Sequence, residues 1–204
     1  MLAGMTRLGA IISAVIILAV IGFASMLSFG PAPVTPKQAG VTRDIRAAVP
    51  APANITSGGL RVPVAGVPRA ALRDSWGEAR EGGARGHHGT DIMARAGTPV
   101  IAAADGWIEK LFESGRGGTT LYQRSADRRW TYYYAHLASY APGVREGMRV
   151  RAGQVLGYVG DTGDAGAGNY HLHFGLTRMH GGDRWWQGDN VNPYPLLARQ
   201  PAGR

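Results

Sequence analysis

From about Leu60 onward the chain is a succession of short β-branched and aromatic runs cut by glycine, and no other feature constrains the fold as much. The runs are 98–104, 107–114, 119–125, 130–137, 154–160 and 171–177, each about the length of an ordinary strand. Glycine supplies 31 of 204 residues, about twice ordinary usage, which favours turns and short strands over a helical bundle. Asp105-Gly106 is a hairpin signal, and Ala126–Arg129 reads as the turn between two further strands. Gly147 and Gly153 flank one more short piece, and 70–76 reads as a single short helix. The expected architecture is a mostly β, antiparallel sandwich or barrel-like domain over residues 60–198, with a short tail at 199–204.

The N-terminal part is of a different kind. Leu8 to Gly30 is a stretch of 23 residues without a charge, long enough for the roughly 20 helical residues that a bilayer core requires. It is longer than a signal-peptide hydrophobic region of about 7–15 residues, and no clean A-x-A site follows it. Residues 1–30 therefore read as an uncleaved signal anchor, a transmembrane helix, in preference to a cleaved signal. Lys37, Arg43 and Arg46 beyond the stretch offset Arg7 before it, so the Lys/Arg bias does not by itself orient the helix. Residues 31–59 carry Pro31, Pro33, Pro36, Pro50 and Pro52 and read as an extended spacer.

Composition narrows the chemistry. The chain has no cysteine, which excludes disulfides, Cys-based zinc sites and thiol nucleophiles. A net charge of +8 favours anionic partners such as membrane headgroups or an anionic wall polymer. No arginine run is interleaved with aromatics, so a nucleic-acid partner is not expected.

The remaining signal lies in the six histidines. In RGHHGTDI, residues 85–92, His87 and Asp91 stand four apart, but the surrounding glycines argue for a tight loop entering a strand rather than a helix. In HLHF, residues 171–174, strand alternation projects His171 and His173 to one face while Leu172 and Phe174 enter the core on the other. Two neutral imidazoles and a carboxylate are a common catalytic zinc set, with the fourth position left for a water whose pKa zinc lowers to about 7. His136 ends the aromatic run YYYAHL, and if the fold brings it beside the others it can donate a hydrogen bond to a developing oxyanion. His88 and His180 read as a wall and a loop residue, Tyr132 to Tyr134 as core and cleft packing, and Trp185 and Trp186 as C-terminal packing in preference to lining a substrate cleft.

These motifs carry a family resemblance. HHGTDI, GTPVIAAADGWI, YYYAHL, the glycine-punctuated run from Gly147 to Gly163, and HLHF together resemble the lysostaphin-type (LytM-like) zinc endopeptidases, which act on bacterial cell-wall peptides. The similarity extends from about Leu60 to Leu197, and Asn169-Tyr170 stands where relatives often have a small residue or Pro.

The resemblance implies a fold of the duplicated hybrid motif type and one zinc ion held by His87, Asp91 and His173. It implies His171 as general base and His136 as stabiliser of the tetrahedral intermediate or partner in the proton handling. The expected activity is hydrolysis of peptide bonds in peptidoglycan, with the catalytic domain in the periplasm or outside the cell and the anchor in the cytoplasmic membrane. The alternative within the same fold is a non-hydrolytic wall-binding regulator that activates other wall hydrolases. Retention of every expected ligand argues against that alternative.

Overall fold

The structure is a computed structural model that describes residues 59–199. The expected anchor at 1–30, the linker up to residue 58 and the tail beyond Arg199 lie outside the described residues. Among the described residues no helix is long and apolar enough to cross a membrane.

Strands dominate, and every pairing among the described residues is antiparallel. They are β1 (Ala79–Arg80), β2 (Arg85–Gly86), β3 (Thr90–Met93), β4 (Pro99–Ile101), β5 (Gly106–Ser114) and β6 (Gly118–Ser125). After these come β7 (Trp130–Tyr140), β8 (Arg149–Val150), β9 (Val155–Val159), β10 (His171–Arg178) and β11 (Asp189–Val191), followed by a short helix, α1 (Tyr194–Ala198). β1 and β2 pair with each other, and the others join one sheet whose main path runs β11-β10-β7-β6-β5-β8. This is the mostly β antiparallel fold expected from the sequence.

β10 is the strand on which the site depends, and it is held along both edges. One edge pairs with β7 from His173↔Ala135 to Arg178↔Trp130. The other is shared by β3, which covers His171 to Phe174, and β11, which covers Leu176 to Arg178. Leu172, Phe174 and Leu176 are buried on one face, where they join Tyr132, Tyr134 and Leu121 in the core. Each such side chain contributes about 1.5–3 kcal/mol by leaving water. The register is therefore strongly specified, because a one-residue slip would exchange this apolar set for the histidines.

β7 changes partner in mid-strand. Up to Ala135 its edge pairs with β10, and from Leu137 onward with β9. His136 lies at the changeover with φ +62°, a left-handed backbone that a non-glycine residue seldom adopts. Its amide donates to the Gly117 carbonyl at 2.8 Å, and its own carbonyl accepts from the Gly160 amide at 3.0 Å. Bonds from both neighbours thus hold the unusual conformation in place.

Two local expectations are corrected. Asp105-Gly106 is not a hairpin: β4 pairs with β9, and β5 pairs with β6 and β8. The glycine is needed for close approach, since a Cβ at Gly106 would lie 2.0 Å from the Arg124 carbonyl oxygen. Residues 70–76 do not form a helix beyond a 3-10 turn at Arg69–Ala71. The Arg69 guanidinium reaches back to the Leu60 and Leu197 carbonyls, Asp74 caps the Trp76 amide at 3.1 Å, and the Ser75 carbonyl is taken by a histidine. The Trp76 amide and the Ser75 carbonyl are thereby diverted from the bonds a helix would have used.

Candidate metal centre

Three donor atoms from three parts of the chain converge on one point. His87 Nε2 lies 2.8 Å from His173 Nδ1 and 3.0 Å from Asp91 Oδ1, and His173 Nδ1 lies 3.1 Å from the same oxygen. Asp91 and His173 are directly opposed across β3 and β10, so strand pairing alone places these two. His87 comes from the turn between β2 and β3. Its backbone is tied to the loop before β1 by His87 N–H donating to the Glu78 carbonyl and Gly77 N–H donating to the His87 carbonyl, both at 2.9 Å. Its ring Nδ1–H donates to the Ser75 carbonyl at 2.7 Å, which leaves the Nε2 lone pair facing the cluster. Gly89 makes the close approach possible: a Cβ there would lie 2.5 Å from His173 Cε1 and 2.9 Å from the Phe174 carbonyl oxygen.

Electrostatics matches the ligand role. Burial works to raise the Asp91 carboxyl, but hydrogen bonds and charge from His173 and His87 outweigh it and hold the group well below the usual carboxylate range. Burial pushes the His173 imidazole down, against the pull of Asp91. An ionised carboxylate and a neutral imidazole are the forms that bind a metal. The second Asp91 oxygen is taken by Arg80 at 2.5 Å, which turns Oδ1 toward the imidazoles. Three electron-rich atoms packed this closely around one point suit a central cation, and His87, Asp91 and His173 form a grouping that could hold a metal ion.

Two further histidines stand beside the cluster. The His171 Nδ1–H donates to the Asn169 carbonyl at 2.8 Å, and its Nε2 lies 3.9 Å from Asp91 Oδ1. The His136 Nδ1–H donates to the Thr162 carbonyl at 2.8 Å, and its ring centre is 4.8 Å from that of His171. In both rings the bonded Nδ1–H leaves Nε2 as an acceptor while the ring is neutral. Burial pushes the His136 imidazole down, with the Thr162 bond opposing. A donor at His136 Nε2 therefore requires that the ring first take up a proton.

The five side chains line a cleft of about 420 Å³, with Arg85 and Asp164 meeting at 3.4 Å on its rim. Ser75, Arg80, Asn169 and Thr162 orient the site residues, and sequence reading does not find them, because three of the four contacts are through carbonyls that any residue supplies. His88 is exposed and stands outside the cluster, against Trp76 and Asn190, and His180 pairs with Asp183 and Asp189 in a distant loop.

The description "Peptidase family M23" matches residues 85–193, just over half of the chain, and that stretch contains all five side chains. This chain belongs to peptidase family M23. The M23 chain is 37% identical over 131 residues to the L-Ala–D-Glu endopeptidase of Bacillus subtilis, an alignment covering 61% of this chain and 39% of that protein. It is 38% identical over 92 residues to the glycyl-glycine endopeptidase ALE-1 of Staphylococcus capitis, covering 43% of this chain and 24% of the relative. The matched region thus spans two fifths or less of either relative's length. Among solved structures, the catalytic domain of lysostaphin from Staphylococcus simulans superimposes with a TM-score of 0.52 at 29% identity, over 63% of this chain and 92% of that domain. M23 peptidases are zinc metallopeptidases, and the His87–Asp91–His173 donor set suits zinc.

Proposed function

We propose that this chain is a zinc-dependent endopeptidase that hydrolyses peptide bonds in bacterial cell-wall peptidoglycan, with His87, Asp91 and His173 as the metal ligands. The observation that carries the reading is the convergence of His87 Nε2, Asp91 Oδ1 and His173 Nδ1 beside two further imidazoles in an open cleft. The relatives named as wall endopeptidases support the substrate class.

A zinc ion held by His87, Asp91 and His173 would supply Lewis acidity toward the scissile carbonyl and acidify a water for attack. His171, with Nδ1–H held by the Asn169 carbonyl, presents Nε2 as the general base. The proton that His171 takes from the attacking water passes to the leaving amine, and His136, protonated at Nε2 from solvent beforehand and held in orientation by the Thr162 carbonyl, donates to the oxyanion. Arg80 keeps the Asp91 carboxylate turned toward the imidazoles. The uncharged Leu8–Gly30 stretch supports a single-pass anchor in the cytoplasmic membrane, with this domain in the periplasm or at the cell surface.

The test is incubation of the purified full chain with sacculi, with and without a chelator, and mass spectrometry of the released fragments. Chelator-sensitive release of fragments with a newly cut peptide bond is expected. Intact sacculi at full zinc occupancy would sink the endopeptidase reading.

A further inference from the structure

A second hollow of about 290 Å³ adjoins the metal cleft, and Tyr133 and His173 form part of the wall of both. Its floor is a run of aromatic rings leading away from the metal ligand. Tyr133 stands 5.8 Å from His173, Tyr122 4.7 Å from Tyr133, Trp185 4.7 Å from Tyr122, and Trp186 5.0 Å from Trp185, all between ring centres. Phe112 backs Trp185 at 5.3 Å, and the Arg184 guanidinium lies over Trp186 at 5.2 Å. Trp185 is thus packed as expected from the sequence, whereas Trp186 remains 53% exposed.

The chemistry of the two hollows differs. The metal cleft is lined by Arg80, Arg85, Arg116 and Asp164 as well as Asp91. Among the described residues lining the aromatic hollow there is no carboxylate, ammonium or guanidinium, and its polar rim is Thr177, Gln187, Asn190 and His88. The Asn190 amide bridges two of these, with its oxygen 3.3 Å from Thr177 Oγ1 and its nitrogen 3.3 Å from His88 Nδ1. A hollow walled by half-buried rings and the exposed Trp186, bordered by neutral amides and a hydroxyl, suits a ligand with an apolar face and uncharged polar edges. A pyranose ring has this form: its axial C–H bonds make a flat apolar face, and its hydroxyl and acetamido groups lie around the edge.

We infer that the Trp185–Trp186 hollow is a glycan subsite that stacks N-acetylated pyranose rings of the polymer whose attached peptide enters the metal cleft. The inference rests on the wall-peptide reading above and adds a second recognition element to it. The loop between β10 and β11 carries both tryptophans, so the subsite is built on the same strand as His171 and His173.

The test uses the 15N-labelled full chain, in a non-sugar detergent if one is needed, titrated with tetra-N-acetylchitotetraose. The five indole N–H signals are separate reporters. The expected result is saturable shifts of the Trp185 and Trp186 signals, with an affinity of about 1 mM, while those of Trp107 and Trp130 stay in place. Trp186→Ala weakens binding by about tenfold or more, Trp186→Phe retains it, and cellotetraose, without acetamido groups, binds more weakly. The inference is overturned by absent shifts, by shifts unchanged in Trp186→Ala, by equal binding of cellotetraose, or by a concentration-dependent dimer that buries Trp186 and ignores the sugar. The titration needs no catalysis. An inactive chain that binds the sugar sinks the endopeptidase reading alone, and an active chain without indole shifts sinks this inference alone.

Discussion

The imidazole of His136 donates from Nδ1 to the Thr162 carbonyl at 2.8 Å, across the gap that opens where β7 leaves β10 for β9. The backbone of His136 is left-handed at this point, with φ +62°, and two amide bonds secure it. Ring orientation and strand geometry are therefore one device, and a replacement must satisfy both. Asn tolerates this backbone better than most residues. His136→Asn is expected to retain the fold and the zinc while lowering kcat by about 10²–10³, the range for loss of one oxyanion donor. Metal analysis and kcat on a cell-wall peptide check it, and an unchanged kcat contradicts the role.

Ligand loss and base loss should separate. Asp91→Ala or His173→Ala is expected to abolish zinc binding and turnover together, and to lower Tm toward that of the chelated wild type, because a ligand bound only to the folded state stabilises it. His171→Ala is expected to keep stoichiometric zinc and lose most turnover. Zinc-free His171→Ala protein would contradict the assignment.

Gly89 tests the packing behind the ligand. A Cβ 2.5 Å from His173 Cε1 forces the imidazole off its position, and the Phe174 carbonyl on the other side blocks a compensating shift. Gly89→Ala should therefore weaken zinc affinity by at least tenfold and destabilise the zinc-free protein by about 1–3 kcal/mol, as overpacking does elsewhere. Zinc titration with a chromophoric chelator and urea unfolding measure the two effects.

The buried imidazoles also set a pH dependence. His136 lies below its ordinary value of 6.5 because burial disfavours the charged ring, and His173 is shifted in the same direction. The unfolded chain thus binds these protons more readily than the folded one. Stability from this source is complete above about pH 6.5 and declines as the pH falls toward the lower folded values. Tm of the chelated protein should drop from pH 7.5 to pH 5, and the drop should be shallower in His136→Asn. A Tm that rises on acidification would reverse the sign.

Legibility of the sequence varied with the range of the interaction. Alternation in HLHF was sufficient to put His171 and His173 on one face and Leu172 and Phe174 in the core, because side-chain direction in a strand follows from local geometry. The principal strands were readable for the same reason, with β7 running three residues beyond its expected end to Tyr140. β1, β2, β11 and α1 are not legible, since all are too short to show a period and the last two are held by residues farther off in the chain such as Leu176 and Leu60. The Asp105-Gly106 turn was misread because the same dipeptide serves a hairpin or a close approach to another strand.

By itself the sequence determined the strand alternation, the charge-free N-terminal stretch and the histidine and aspartate motifs that suggest a metal peptidase. Only the tertiary structure decided that His87 Nε2 rather than Nδ1 faces the cluster, that Arg80 holds the second oxygen of Asp91, and that Trp186 is presented to solvent beside the cleft. The physical reason is that alternation and composition are properties of neighbouring residues. The facing nitrogen of a ring and the exposure of an indole depend on carbonyls, guanidiniums and rings contributed by segments far away in the chain.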